Sequence, residues 1–298
     1  MTQAGRTMSG DIRVPGREGK PGPGGWTGGA HSFGLVLGAL GALVLAGRAE
    51  AQGGGPSYHP LQLDCAAYRQ QVRSVIQLES TRQRSRETTG RDGVLILRAT
   101  AEDSVFALEA WFDTLSVWRE GSGERIEPET DGVIGGRFKG LLTRLGGFTS
   151  LDRPFIPDDV AQVADIGDAL EELLPQLPPI PLSPGAGWKD DFGTAIMRLP
   201  DETIAGRDVS RYRLVRRDSR DESRMLPDST PVRATRQESE TGVFDWTEEL
   251  GLVRWEREIT VDVTVPAGGP VKQPFRTRIV QQATVHRLST GCDARSAP

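Results

Sequence analysis

The chain has 298 residues, with 36 Lys and Arg against 41 Asp and Glu, three His and two Cys, for a formal charge of −5. That balance disfavours nucleic acid or an anionic membrane surface as the main partner, because both need a net basic footprint. So few histidines and cysteines leave little for a zinc site.

The run Phe33 to Ala46, FGLVLGALGALVLA, is uncharged and is followed by the small-x-small sequence Ala49-Glu50-Ala51. It is too short for a membrane-spanning helix and reads as a secretory signal peptide, with residues 1–51 as leader and extended n-region. Removing them leaves 31 basic and 38 acidic residues, a formal charge of −7. The mature part, 52–298, reads as a single exported domain, periplasmic or extracellular in a bacterium. In an oxidising compartment the two cysteines, Cys65 and Cys292, are expected to form a disulfide that ties the first strand to the last.

From Tyr68 to Leu78 the apolar Tyr68, Val72, Ile76 and Leu78 share one parity, while Arg69, Gln71, Arg73 and Gln77 take the other, as in a half-buried strand. The polar stretch Thr81 to Gly93 reads as a turn or loop, and Val94 to Arg98 as the return strand. Asp103 to Trp118 is aromatic and β-branched enough for strands, although Phe106, Glu109, Ala110 and Asp113 also fall at helical spacing. Three glycine sites between Val133 and Gly147 suggest bends in a strand; a phosphate loop would need a following Gly-Lys-Ser/Thr, which is absent.

Residues 157–174 predict the one helix. Pro157 suits its first turn, Asp158 and Asp159 suit its N-terminus, and Val160, Val163, Ile166, Leu170, Leu173 and Leu174 give an apolar face. Gly167 offers a break. The seam 175–187, with Pro175, Pro178, Pro179, Pro181 and Pro184, cannot continue a helix and stays extended. It lacks the basic flank of a polyproline ligand, and its Leu177, Ile180 and Leu182 suit a core.

After Trp188 the pattern returns to β. Asp208 to Arg216 alternates, and Trp255, Ile259, Val261, Val263 and Val265 share a parity opposite Glu256, Glu258, Thr260 and Asp262. The turn PAGGPVKQP then leads into Phe275 to Leu288, closing a long antiparallel hairpin. The fold class expected is mainly β (α+β): a curved antiparallel sheet or open half-barrel, with halves at about 60–152 and 185–292 joined by the helix and seam. The helix should cover the concave side and the cysteines should join the ends of the sheet.

No catalytic, cofactor-binding or metal-ligating residues are predicted. His59 and His286 lack a nucleophile motif, and no Gly-x-Ser-x-Gly occurs. A carboxylate-dependent hydrolase would draw on Asp190 and Asp191, or on Asp245 with Glu248 and Glu249, for which solvated turns are the simpler reading. The six acidic residues between Phe155 and Trp188 lack EF-hand spacing.

The stretch Pro181-Leu-Ser-Pro-Gly-Ala-Gly-Trp188, with Tyr212, Gly242-Val-Phe-Asp-Trp246 and Gly251, resembles bacterial exported proteins of a domain family of unknown function. That resemblance implies a curved antiparallel sheet with a helix on one side, broadly like periplasmic lipid-carrier half-barrels, and carries over no site residues. The expected function is a non-enzymatic protein that binds a lipid or other apolar ligand between helix and sheet, with Trp255, Ile259, Val261 and Val263 as the cavity lining. The alternative is a structural or assembly factor acting through cell-envelope proteins.

Overall fold

The computed structural model describes residues 55–121, 123–204, 206–225, 231–269, 271–289 and 292. The leader assigned to 1–51 lies outside them. The strands are β1 (Ala67–Ser80), β2 (Arg84–Glu102), β3 (Val105–Gly121), β4 (Glu124–Ile126), β5 (Phe138–Thr143), β6 (Phe148–Asp152), β7 (Gly187–Lys189), β8 (Thr194–Arg198), β9 (Glu202–Ile204), β10 (Arg207–Met225), β11 (Pro231–Thr247), β12 (Gly251–Val265) and β13 (Phe275–Arg287). Two helices of one turn each, α1 (Pro60–Leu63) and α2 (Asp158–Ala161), complete the elements.

The strands form one open, curved antiparallel sheet in the order β6-β5-β3-β2-β1-β13-β12-β11-β10-β8-β7, with β4 beside β3 and β9 beside β10. Because β1 and β13 pair from Tyr68 opposite Arg287 to Ser80 opposite Phe275, the first and last long strands meet in the middle of the sheet. The Cys65–Cys292 disulfide does join the chain before β1 to the chain after β13. It therefore staples the centre of the sheet. The expectation that it joins the sheet's ends is corrected: those ends are β6 and β7.

Two expectations about elements also change. Arg84 to Gly93 is not a loop but the first half of β2, paired residue by residue with β1, and the turn shrinks to Thr81–Gln83. Hydrophobic alternation is silent there because Glu87, Thr89 and Arg91 occupy the inner-face positions and are polar. Residues 157–174 are not a continuous helix. After α2 the chain runs through successive turns, with Val163 N–H donating to Val160 O, Ala169 to Ile166 O, Glu172 to Asp168 O and Leu173 to Leu170 O. Asp165 accepts the Gly167 N–H at 3.0 Å, a local bond that competes with the helical ladder.

The apolar spacing nevertheless does its work, since turns closing every three or four residues put the same side chains on one face. Val160, Val163, Ile166, Ala169, Leu170, Leu173, Leu174 and Leu177 are all buried. Each of the larger ones contributes about 1.5–3 kcal/mol on burial. This crossover runs from the β6 edge to the β7 edge under the inner face of the sheet, where Tyr58 Oη donates to Pro175 O at 2.9 Å and Leu177 N–H to Leu145 O at 2.9 Å.

Two bulges keep the inner face apolar. The β2–β3 register passes from Val94–Thr114 to Leu95–Phe112, and the β11–β12 register from Asp245–Arg254 to Trp246–Leu252, so Asp113 and Val253 are the extra residues. The first shifts the parity of β3 so that Phe106, Leu108, Ala110 and Phe112 face the same core as Leu115 and Val117, and the second does the same on β12 for Leu252 and Trp255. Gly242 lets an aromatic lie flat on the inner face: a Cβ there would sit 2.9 Å from Nε1 of the Trp255 indole.

Candidate functional site

The inner face carries two apolar clusters with a polar belt between them. The larger packs the crossover against Phe112, Phe138, Tyr212, Phe244, Trp246 and Trp255. The smaller consists of Val232, Ala234, Val261, Val263, Val265 and Val271, with Ile259, Phe275 and Ile279 against it. It lies toward the tips of the long hairpins.

The belt crosses the sheet in register. Arg91 on β2 donates to Asp165 O at 2.7 Å and to Glu172 at 3.0 Å, both on the crossover. Arg257 on β12 lies 3.5 Å from Glu172 and 3.3 Å from Glu240 on β11, with its guanidinium 4.7 Å from the Trp255 ring centre. Arg216 on β10 reaches both Glu240 and Glu238 at 3.2 Å, and Arg236 reaches Glu238 at 2.7 Å. The Gln70 amide donates to Ala169 O at 3.5 Å. Glu172 is thus the hinge point at which the crossover is clasped to the sheet.

Between the crossover and the strands lies a cleft of about 430 Å³. Val72, Ile76, Val163, Val261 and Ile279 give it an apolar strip, and Ser74, Thr89, Gln162 and Gln281 give it neutral hydrogen-bonding groups. Arg91, Arg236, Glu87 and Glu172 also line it, each with a counter-charge within 4 Å; so does Asp165, whose carboxylate accepts the Gly167 N–H instead. Of the residues expected to line a cavity, Val261 lines this cleft and Val263 lies in the smaller cluster, with Ile259 packed on its edge. Trp255 is in the larger core. Arg257, Glu240 and Arg236 separate the two groups. The sequence does carry a signal for this, because Arg257 has the same parity as Trp255, Ile259 and Val261.

The carboxylates considered for hydrolysis serve separate structural roles. Asp190 Oδ1 accepts the N–H groups of Phe192 and Thr194 in the β7–β8 turn, at 2.9 and 2.7 Å. Asp245 is buried between Arg254 at 3.0 Å and Arg211 at 3.1 Å; burial pushes its carboxyl up, against the pull of both guanidiniums. Asp191, Glu248 and Glu249 are exposed. His59 borders a second, more polar pocket of about 490 Å³ with Gln62, Arg198, Tyr212 and Trp246, whereas His286 is exposed on β13. Among the described residues no group of three or more His, Cys, Asp or Glu is placed to hold a metal ion, and no helix is long and apolar enough to cross a membrane.

Fold and cleft together define an open antiparallel sheet strapped across one face by its own crossover. No protein-family model and no curated protein matches the chain. Among solved structures it is similar to a DUF1329 family protein from Desulfovibrio piger ATCC 29098, at 9% sequence identity, covering 79% of this chain and 89% of that chain. The TM-score is 0.18, too low for the likeness to carry anything over.

Carboxylates on the crossover and on β11 make stability depend on pH in two directions. Burial, aided by neighbouring carboxylates and opposed by Arg153, raises Asp168 and Glu171 above the ordinary carboxylate range. A carboxyl raised in the folded state holds its proton more tightly there, so both favour folding increasingly as pH falls through their folded values. Burial also pushes Glu238 up, but its hydrogen bonds and charge contacts with Arg236 and Arg216 outweigh this and leave it lowered. Its contribution is present above about pH 4.3 and is lost as pH falls through the lowered value. The urea midpoint is expected to rise from pH 7 toward 5 and to fall in stronger acid. An Asp168→Asn/Glu171→Gln variant should show a smaller rise, since the raised Asp245 carboxyl still contributes, and keep the fall; an unchanged profile would contradict the assignment.

Proposed function

We propose that the protein is a non-enzymatic binding protein that holds an apolar or amphiphilic ligand in the cleft between the crossover and the inner face of the sheet. The observation that carries this reading is the strip Val72, Ile76, Val163, Val261 and Ile279, left beside an open volume of about 430 Å³ rather than packed solid. That volume lies in the range of small-molecule sites, which combine apolar walls with a few polar groups that set orientation. Four of the five charged groups at the cleft are held in ion pairs and the fifth, Asp165, accepts the Gly167 N–H, which supports binding over acid–base chemistry. Ser74, Thr89 and Gln281 suit the neutral polar end of an amphiphile.

The test is displacement of a dansyl-labelled fatty acid from protein freed of lipid by organic extraction. Ser74→Trp places an indole in the cleft and is expected to weaken probe binding at least tenfold. Thr264→Trp, on the exposed outer face of β12, should leave it unchanged. Equal binding by both variants, or no saturable binding by the unsubstituted protein, would remove the support for this reading.

A further inference from the structure

The outer face of the same sheet is exposed at its hairpin tips and carries charge of one predominant sign. Register sets Arg86 on β2 opposite Gln77 on β1, and Gln77 opposite Arg278 on β13. Two residues nearer the tips, Arg84 faces Glu79 and Glu79 faces Arg276. Alternation puts all of these side chains on the face opposite Ile76 and Ile279, which point into the cleft. Arg82 in the β1–β2 turn and Lys272 between β12 and β13 are exposed just beyond them. A hydrogen bond from Thr81 Oγ1 to Gln273 Oε1 ties the two tips together, so the basic groups of both hairpins form one surface.

The acidic groups are too few to neutralise this surface. Asp262 holds Arg276 at 2.7 Å, Glu79 stands between the two pairs of arginines, and Glu120 lies at the margin. Arg84, Arg86 and Arg278 have no carboxylate within salt-bridge distance among the described residues, and all three are exposed. Directly opposed strand residues lie about 5 Å apart, so Arg86 and Arg278 are about 10 Å apart. That separation is roughly one Debye length at 0.1 M salt, and the group acts on a charged surface as a unit. Net charge is an average over the chain. The field a partner meets is set by what lies within that distance.

We propose that this arginine surface at the tips of β1–β2 and β12–β13 docks the protein on an anionic phospholipid bilayer. Charge complementarity selects the partner, and the position selects a bilayer over other polyanions. The arginines lie on the strand ends whose inner face forms the apolar part of the cleft, which brings that cleft to the surface where amphiphiles reside. Polybasic surfaces gain affinity for anionic leaflets arginine by arginine and lose it as salt screens the charge. The choice of a bilayer rests on the reading of the cleft, but vesicle binding is measured separately from probe binding in the cleft, so either can fail without the other.

The experiment is co-sedimentation of the full chain with vesicles of phosphatidylcholine alone or with about a third phosphatidylglycerol, at low and at 0.5 M salt, the readout being the gain in partitioning that the anionic lipid brings. Arg84→Gln/Arg86→Gln/Arg278→Gln is expected to lower that gain on the order of 100-fold. Arg98→Gln/Arg144→Gln/Arg207→Gln, the same charge change at the far ends of the strands, should lower it little. High salt should abolish the gain in every variant. Thermal unfolding of each variant confirms that the fold is retained. Equal losses from the two triple variants, no gain with anionic lipid, or tighter binding to single-stranded DNA than to the vesicles would each overturn the proposal.

Discussion

Removal of the disulfide, by Cys65→Ser/Cys292→Ser or by a reductant, is expected to lower stability by about 2–5 kcal/mol. For a domain of this size each kcal/mol moves the thermal midpoint by about 2–4 °C, so a fall of roughly 5–20 °C should be seen. The size of the effect comes from position. The bridged residues are 227 apart in sequence, so the cross-link closes a loop that contains every described strand. In the folded state its local contribution is small, because β1 and β13 already pair along their length and Leu288 N–H donates to Ala67 O at 2.8 Å. The main loss is therefore the restriction the bond places on the unfolded chain, with the release of Cys292 added. Cys65 sits at φ 56°, a left-handed conformation that a non-glycine residue adopts at a cost, and the pairing of its neighbours holds it there. Thermal unfolding of oxidised, reduced and Ser variants, with thiol titration to verify each state, measures the effect. A midpoint unchanged by reduction would show that the central strand pairing alone closes the fold.

The β architecture was legible where one face of a strand is apolar and the other wet. Tyr68 to Leu78 and Trp255 to Val265 announce β1 and β12 by parity alone, and both lie where that parity puts them. Legibility failed for two physical reasons. In Arg84 to Gly93 the inner-face groups are charged or hydroxylic and are satisfied by partners far away in sequence, as Arg91 is by Asp165 O and Glu172. In 157–174 the apolar spacing fits a helix and a run of successive turns equally well, and Gly167 with the Asp165 side chain tips the balance. The same blindness hid the polar belt. Arg257, Glu240 and Arg91 each look like a surface charge until the register places them on the inner face. Trp255, Ile259, Val261 and Val263 all lie on the inner face, and the parity of Arg257 places it among them, but only the three-dimensional register shows that it divides them between two clusters.

That belt yields a second large expected effect. Arg257 and Glu240 have side chains only 7% and 5% exposed, and they meet at 3.3 Å. Breaking a buried ion pair by removing one member commonly costs about 3–5 kcal/mol, because the other charge is left without its counter-ion in a poorly solvated place. Here each keeps a second partner: Arg216 lies 3.2 Å from Glu240, and Glu172 lies 3.5 Å from Arg257. Arg257→Met and Glu240→Leu are therefore each expected to cost about 2–3 kcal/mol, at or just below the bottom of that range. The double variant should cost clearly less than the sum, since it removes both charges and fills the space with apolar groups beside Trp255. A chemical-denaturation double-mutant cycle would read a coupling of about 1–2 kcal/mol. If the two losses simply add, the pair is not the unit the geometry indicates. If Arg257→Met instead leaves stability unchanged, Glu172 is clasped by Arg91 alone. The crossover would then be held by its leucines, and the belt would serve to keep the cleft wet on one side.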